Sequence, residues 1–200
     1  MQTLLSRLDD SDNFIDHGSR VLMLYNQIGD ASYLELGVNR NVNFNSIPAR
    51  EKMSVDTNGY AKFTGTTDEF FEQLPDDTMF DIVYIDANHD YPYVVKDFNN
   101  SVKHCNKWIL IHDCVPPTKQ YTESKFCSDS FKVLYYLLKE CDTEVYVMKN
   151  NFGLTLVRMP ATPIDLPEYC RDLDYDKFNK YISTVRRYSA AEISEVLNER

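Results

Sequence analysis

The side chains best suited to chemistry stand where strand-like runs of apolar residues come to an end. Four of those runs close on carboxylates, a glycine or a histidine: Glu35, Gly37, Asp56, Asp86, His112 and Asp113. Carboxylates accept hydrogen bonds from ribose hydroxyls and bind divalent cations, and histidine takes up protons near neutral pH. Because ligands of open parallel sheets bind beyond the carboxyl ends of the strands, we expect these groups to share one rim.

The spacing between Gly37 and Asp56 is typical of a nucleotide-binding turn. Asp56 lies nineteen residues after Gly37, at the end of the second strand-like run. A carboxylate there can accept both ribose hydroxyls of a nucleotide-like cofactor, and a glycine after the first strand lets the backbone approach that cofactor closely. The alternative interpretation is that Asp56 only forms the turn at residues 57–59.

The elements that must position these residues alternate between strands and helices. Strand-like runs predict strands over five ranges: 33–38, 52–56, 61–66, 80–86 and 108–113. The runs at 80–86 and 108–113 are the most apolar, as strands buried on both faces should be. Helical patterns lie between and after them: 44–50, 67–74, 91–105 and 131–138. Thr67 and Asp68 carry side-chain oxygens that can cap free backbone N–H groups, so we expect them to cap the second of these helices.

The order of these elements predicts the fold class. Residues 144–148 and 154–158 predict two further strands around a turn-rich spacer, a hairpin that adds an antiparallel edge strand. The whole pattern predicts an α/β fold: a Rossmann-like, mostly parallel seven-stranded sheet with an antiparallel last strand and helices on both faces.

Along the chain we expect three parts. Residues 1–30 form an N-terminal helical cap, and residues 31–160 form the Rossmann-like domain. Residues 161–200 form a C-terminal helical extension, helical from 175 to about 197, that packs on the domain or on a partner.

The composition indicates which binding partners and which cellular compartment to expect. The 200 residues carry a formal net charge of -10, which disfavours binding to nucleic acid or anionic lipid. The five cysteines are odd in number and form no CxxC pair, which argues against a disulfide framework and a structural zinc site. The N-terminus has no apolar segment of signal-peptide length and no apolar run could span a membrane, so we expect a cytoplasmic protein.

Several blocks occur in an order that resembles a known family. They are YLELGV at 33–38, Asp56, TDEFF at 67–71, FDIVYIDANHDY at 80–91 and LIHDC at 110–114. Together they resemble the class I S-adenosyl-L-methionine (SAM)-dependent methyltransferases. Within that class they are similar to the group with an IDGxH fourth strand and an HD fifth strand, which includes sugar and small-molecule O-methyltransferases. The resemblance covers about residues 30 to 160.

The resemblance implies which residues contact the cofactor. Glu35 and Gly37 would lie beside the methionine part of SAM, and Asp56 would bind its ribose hydroxyls. Thr67 and Asp68 would lie near the adenine. The full set that this resemblance predicts to bind SAM is Glu35, Gly37, Asn39, Asp56, Thr67, Asp68 and Asp86.

The same resemblance places His89, His112 and Asp113 on the side of the methyl acceptor as catalytic groups. Methyl transfer from a sulfonium needs an acceptor held near the methyl, a dry site and removal of a proton. His89 or His112 can act as the base. In metal-dependent relatives, carboxylates matching Asp86 and Asp113 hold a divalent cation, and Mg²⁺ there would lower the pKa of the acceptor hydroxyl instead. Each histidine can equally have an ordinary structural role.

Departures from the family pattern keep two other classes of protein open. Asn41 stands where the family has a second glycine, and Ala87 stands where it has a glycine after the aspartate. Asn is among the residues best able to adopt a left-handed backbone. A catalytically silent binding or assembly module is one alternative, and a nicotinamide-dependent oxidoreductase is the other. The acceptor is expected to be a sugar, a glycan or another hydroxylated small molecule, and the sequence leaves open whether the chain forms a homo-oligomer.

Overall fold

Seven strands form one sheet in the computed structural model, which describes residues 17–149 and 152–198. The strands are β1 (Tyr33–Leu36), β2 (Lys52–Asp56), β3 (Phe63–Thr64), β4 (Phe80–Ile85), β5 (Cys105–Ile111), β6 (Val145–Val147) and β7 (Thr155–Arg158). Their order across the sheet is β3-β2-β1-β4-β5-β7-β6, and every pair is parallel except those made by β7. The predicted mostly parallel, seven-stranded Rossmann-like sheet is confirmed.

The position of the antiparallel strand differs from the prediction. β7 lies inside the sheet, antiparallel to both β5 and β6, and β6 forms the edge. Thr155, Leu156 and Val157 are all buried, whereas two of the three residues of β6 are half-buried. The more deeply buried strand of the hairpin is the interior one, which has a neighbour on each side.

Helices cover both faces of the sheet. They are α1 (His17–Ile28), α2 (Val42–Ser46), α3 (Thr67–Gln73), α4 (Tyr91–His104), α5 (Lys119–Thr122), α6 (Phe131–Glu140), α7 (Glu168–Arg171), α8 (Tyr175–Ile182) and α9 (Ala190–Asn198). Alternate strand residues face opposite layers. Val83 and Ile85 of β4 join the core beneath α3, α4, α6 and α8, whereas Ile82 and Tyr84 join the core beneath α1, α2 and α9.

Three predicted elements have different bounds for identifiable reasons. The helix predicted over 44–50 ends at Ser46, because Ile47 precedes Pro48 and adopts an extended backbone. The strand predicted over 61–66 shrinks to the two residues of β3. The fifth strand begins earlier, where Cys105 pairs with Phe80, and ends before residue 112.

The cap of α3 lies one residue before the predicted pair Thr67 and Asp68. Thr66 Oγ1 accepts a hydrogen bond from the Glu69 amide at 3.1 Å, and Glu69 Oε2 accepts one from the Thr66 amide at 2.8 Å. This reciprocal pair is a capping box, which needs Thr and Glu three residues apart. Thr67 and Asp68 therefore lie in the first turn of the helix.

The end regions contribute to both cores. The helical stretch predicted over 175–197 is two helices, α8 and α9, because the backbone of Tyr188 bridges to Met148 between them. Phe178 of α8 packs in one core and Ile193 of α9 packs in the other. The N-terminal part predicted over 1–30 is described only from residue 17, and the three-part division of the chain stays a prediction.

No helix among the described residues is long and apolar enough to cross a membrane. The five cysteines are free thiols, and all but Cys141 are buried.

Asp97 is a charged side chain buried without a hydrogen bond. It is 1% exposed on α4, neither carboxylate oxygen has a hydrogen-bond partner, and the Ser101 hydroxyl one turn later is equally unpartnered. Burial raises the pKa of the Asp97 carboxyl to about 7, although nearby Thr67 favours the charged form. An ionised carboxylate at this position costs stability.

Replacing Asp97 should therefore stabilise the fold in a pH-dependent way. The unfolded chain releases this proton near the ordinary value of 3.8 and the folded chain near 7, so the free energy of unfolding falls as pH rises between them. We expect Asp97→Asn to match the wild type near pH 4 and to exceed it by on the order of 4 kcal/mol near pH 8. Urea unfolding at both pH values measures the difference.

Ser101→Ala is the matched control, since it removes the neighbouring unpartnered group without removing a titration. Its effect on the free energy of unfolding should be the same at both pH values. An Asp97→Asn effect that is equally independent of pH would contradict the buried, shifted carboxyl.

Candidate active site

The turn after β1 presses the backbone of Gly37 against the end of β4. Gly37 has a φ of +83°, and a Cβ on this residue would overlap the main-chain carbonyl of Asp86. The glycine was expected to allow close approach of a cofactor. The structure provides a second reason for a glycine at this position: only glycine lets β1 and β4 end side by side here.

Two asparagines continue this turn in the left-handed conformation. Asn39 has a φ of +47° and Asn41 a φ of +61°. Asn41 thus adopts the backbone that the family's second glycine was expected to supply. Its side-chain amide donates to the Tyr60 carbonyl, so the substituted residue also ties this turn to the segment after β2.

Asp56 holds the same turn from the neighbouring strand. Its Oδ2 accepts hydrogen bonds from the amides of Val38 and Asn39, both at 2.9 Å, and its Oδ1 accepts one from the Asn58 amide at 3.0 Å. The alternative interpretation, a turn-forming aspartate, therefore describes part of its role. The carboxylate also lines the cavity described below, and Oδ1 retains capacity for a further donor.

Glu35 lies at the base of the turn with two neutral donors. Its Oε2 accepts from the Tyr33 hydroxyl at 2.6 Å and from the Asn43 amide at 2.7 Å. Burial raises the pKa of the Glu35 carboxyl to about 7, while Tyr33 and Asn43 act in the opposite direction. Glu35 is therefore a buried carboxyl that is protonated and ionised to similar extents near neutral pH.

Four titratable residues meet at the ends of β4 and β5. Asp86 Oδ1 lies 3.2 Å from His89 Nε2 and 3.2 Å from His112 Nδ1. Asp113 completes the group, with Oδ1 at 3.0 Å from His112 Nδ1 and Oδ2 at 3.6 Å from His89 Nδ1. Asp113 reaches this position with a left-handed φ of +57°, which is uncommon for a residue other than glycine and typical of functional sites.

The charges in this group stabilise one another. Burial opposes ionisation of Asp86, but the imidazoles of His112 and His89 outweigh it and hold the pKa of Asp86 below its usual range. Burial equally opposes a charge on His112, yet Asp86 and Asp113 raise the pKa of His112 to about 10. For His89, burial is again outweighed by Asp86 and Asp113, and its pKa is raised. The two carboxylates therefore favour the protonated form of His112.

A cavity of about 940 Å³ opens over these strand ends. Eight of the predicted site residues line it: Glu35, Gly37, Asn39, Asp56, Thr67, Asp68, Asp86 and His89. His112 and Asp113 do not line it, being 3% and 7% exposed, and instead contact Asp86 and His89 from behind. The volume is in the range of sites for small molecules and cofactors.

Asp68 lines the cavity but already has a partner. Its Oδ2 lies 2.7 Å from Lys96 Nζ on α4, and both side chains are partly exposed. The predicted contact of Thr67 and Asp68 with an adenine stays a prediction.

The sequence analysis missed two buried tyrosines and an asparagine that hold the carboxylates. The Tyr84 hydroxyl donates to Asp86 Oδ2 at 3.1 Å, as Tyr33 does to Glu35. Both tyrosines stand two residues before their carboxylate, so strand alternation places each pair on one face. That two-residue spacing could have predicted both tyrosine contacts from the sequence. The contact from Asn43 could not have been predicted in this way, because it arises only when α2 folds back over β1.

Comparisons with known proteins identify which other proteins share this architecture. No family model matches the chain, and no curated protein sequence matches it. Several solved structures are similar to this chain.

The cofactor-bound structure of Rv0187 from MTB is 13% identical with a TM-score of 0.57, covering 80% of this chain and 89% of that one. The O-methyltransferase TomG from Streptomyces achromogenes, in complex with SAM, is 13% identical with a TM-score of 0.53, covering 79% and 89%. The N-methyltransferase NodS from Bradyrhizobium japonicum, in complex with S-adenosyl-L-homocysteine, is 16% identical with a TM-score of 0.50, covering 82% and 98%.

At these identities the likeness shows the fold. The chain has the Rossmann-like fold of the class I SAM-dependent methyltransferases, so the resemblance read from the sequence is confirmed at that level. The matched structures include both O- and N-methyltransferases, so the fold is shared by enzymes with different acceptors.

The close contact at Gly37 predicts a large effect of adding one methyl group. Gly37→Ala places a Cβ against the Asp86 carbonyl and forces a left-handed backbone on a residue that disfavours it. We expect the free energy of unfolding in urea to fall by roughly 2–4 kcal/mol. Gly59→Ala is the matched control, because a Cβ at Gly59 meets no atom within 4 Å. Equal losses in the two variants would show that the contact between β1 and β4 is not tight.

Proposed function

We propose that this chain is a SAM-dependent methyltransferase that methylates a hydroxyl group of a sugar or another small molecule. The observation that carries the proposal is the convergence of Glu35, Asp56 and Asp86, from three neighbouring strands, on one cavity in a fold used by such enzymes. The cavity volume suits a ligand of the size of SAM. The acidic charge of the chain and its free thiols support a small-molecule enzyme of the cytoplasm.

In this proposal, different residues of the cavity would hold different parts of SAM. Asp56 would receive the ribose hydroxyls through the remaining capacity of Oδ1, and Glu35 would lie beside the methionine part. Thr67 and Asp68, at the start of α3, would border the adenine. SAM, when bound, supplies a methyl group activated by the positive charge of its sulfonium.

His89 is the residue best placed to take the acceptor proton. It lines the cavity, unlike His112, and its ring lies between the carboxylates of Asp86 and Asp113. Those carboxylates orient the imidazole and stabilise the imidazolium formed when it takes up a proton. His112 and Asp113 act from behind as positioning residues, because neither lines the cavity and His112 contacts both carboxylates.

A specific observation also supports a divalent cation at the same place. Ligand atoms of Asp86, His89 and Asp113 all lie within 4.8 Å of one another. Two carboxylates suit Mg²⁺, as proposed from the sequence, while the imidazole makes Mn²⁺ an equally good match. Such a cation would lower the pKa of an acceptor hydroxyl.

The two alternative classes have less support. The silent-module alternative relied on Asn41, whose left-handed backbone keeps the turn that a glycine would form. The oxidoreductase alternative needs a glycine-rich turn, and residues 38–41 contain no glycine. Whether the chain forms homo-oligomers is a separate matter for measurement in solution.

Cofactor binding is the first test of the proposed function. SAM at a hundred times its dissociation constant should stabilise the fold by about 2.7 kcal/mol, whereas NAD should have no effect. Asp56→Ala should weaken SAM binding by tenfold or more in calorimetry, because it removes a charged hydrogen-bond acceptor. Exposed Asp76→Ala, away from the cavity, controls for the loss of one negative charge. Absence of heat and of thermal stabilisation with SAM would overturn the proposal.

The proton-transfer role of His89 predicts the pH dependence of turnover. The base must be neutral, and its pKa is raised, so the rate should climb with pH above the ordinary histidine range and fall as acid protonates the ring. His89→Gln should lower the rate by about 10²- to 10⁴-fold and remove this pH dependence, with SAM affinity unchanged. Release of S-adenosylhomocysteine, with the best acceptor from a screen of sugars and phenols, measures it.

Adding a chelator distinguishes a reaction in which His89 takes the acceptor proton from one in which a bound cation activates the acceptor hydroxyl. Turnover that survives EDTA supports His89 as the base. Turnover that is abolished by EDTA and restored by Mg²⁺ or Mn²⁺, together with metal-induced thermal stabilisation that Asp113→Asn removes, supports the cation instead.

A further inference from the structure

Of the lysines and arginines in the described part of the chain, two line the cavity, and one of them lies beside the candidate base. Arg40 belongs to the turn after β1 that Asp56 holds, whereas Lys125 follows α5. The main-chain carbonyl of Lys125 lies 3.4 Å from Nδ1 of His89. Lys125 therefore lies at the part of the cavity where the methyl acceptor would react.

The segment that carries this lysine, residues 124–130, is held against the start of α4. The Ser128 hydroxyl donates to the Asp90 carboxylate, and Asp129 Oδ1 accepts a hydrogen bond from the Tyr91 amide at 2.7 Å. The backbone of the lysine is thus fixed relative to the candidate base, while its flexible four-carbon stem can still adjust to a ligand.

The ammonium of Lys125 has no ion-pair partner in the described part of the chain. The carboxylates around it have other partners. Asp90 accepts from a serine, Asp129 pairs with Lys132 at 3.0 Å, and the two aspartates of the histidine group are paired within that group. In a chain with a net charge of -10, a cation that the chain does not neutralise favours a ligand that brings a negative charge.

We infer that Lys125 is a specificity residue that binds an anionic group of the methyl acceptor, a carboxylate or a phosphate, close to the hydroxyl that reacts at His89. The inference rests on the proposed function and narrows its substrate class to acidic sugars and acidic phenols. An ammonium has three N–H donors and no acceptor, so it binds anionic oxygens more strongly than neutral hydroxyls. Because the anionic group takes no part in the methyl transfer, its contact with Lys125 should lower KM rather than raise kcat.

Acids and neutral counterparts of similar shape test this inference. The pairs are 3,4-dihydroxybenzoate and its methyl ester, D-glucuronate and its methyl ester, and glucose 6-phosphate and glucose. The first two pairs probe a carboxylate and the third a phosphate, and the kinetics of S-adenosylhomocysteine release give KM and kcat for each compound. We expect the wild type to have a KM about tenfold lower for the acid of at least one pair, and added salt should reduce this difference.

Variants of Lys125 show whether this side chain causes the preference. Lys125→Met should raise the KM for the acid to that of its neutral counterpart, and the effect should fall on KM rather than on kcat. Lys125→Arg should keep most of the preference, because the positive charge remains. Lys119→Met is the matched control, since Lys119 is exposed on α5 and does not line the cavity, and it should keep the wild-type preference.

Equal KM values within every pair for the wild type, or a preference that Lys125→Met retains, would overturn the inference and leave the proposed function intact. A wild type that binds SAM but methylates none of the three acids would do the same. A chain that does not bind SAM would instead overturn the proposed function, and the inference with it.

Discussion

The backbone hydrogen bonds that join the ends of four parallel strands are the constraint on which the site depends. The Gly37 amide donates to the Val55 carbonyl at 2.8 Å and the Asp86 amide to the Leu36 carbonyl at 2.8 Å. The His112 amide donates to the Ile85 carbonyl at 3.0 Å. These bonds continue the ladder one step past the strands, so the residues that follow β2, β1, β4 and β5 meet at one rim. Gly37 makes this continuation possible, because any side chain there would separate β1 from β4.

Buried charge is tolerated at this rim in two different ways. Around Asp86 the chain supplies its own counter-charges, since two histidines and Asp113 form a group that is paired internally. Around Glu35 it supplies only neutral donors, and the pKa of that carboxyl is raised to about 7. The first arrangement is preorganised for proton transfer or cation binding. The second leaves the carboxyl near its point of half-ionisation at neutral pH.

Tyrosines in the strands carry much of the support for these carboxylates. Tyr33 and Tyr84 bury their rings in one core and donate their hydroxyls to Glu35 and Asp86 at the rim. Burial raises the pKa of both phenols well above the usual value, so they remain donors. The same side chains thereby stabilise the sheet and orient the site, which links the packing of α1 and α9 to the geometry of the cavity.

The sequence by itself determined the succession of the seven strands along the chain, most of the helices between them and the identity of the residues at the strand ends. Short, mostly apolar and β-branched runs such as residues 80–86 favour buried strands, and in an alternating α/β pattern the residues that close them lie at the carboxyl edge of a parallel sheet. It did not determine which side chains face the cavity, because that depends on rotamers and on the left-handed backbone at Asp113. His89 and His112 looked equivalent in sequence, yet only His89 lines the cavity. The hydrogen bond from Asn43 to Glu35, eight residues away, depends on how α2 packs over β1. The interior place of β7 depends on which strand of the hairpin pairs with β5, and both contacts exist only in the folded state.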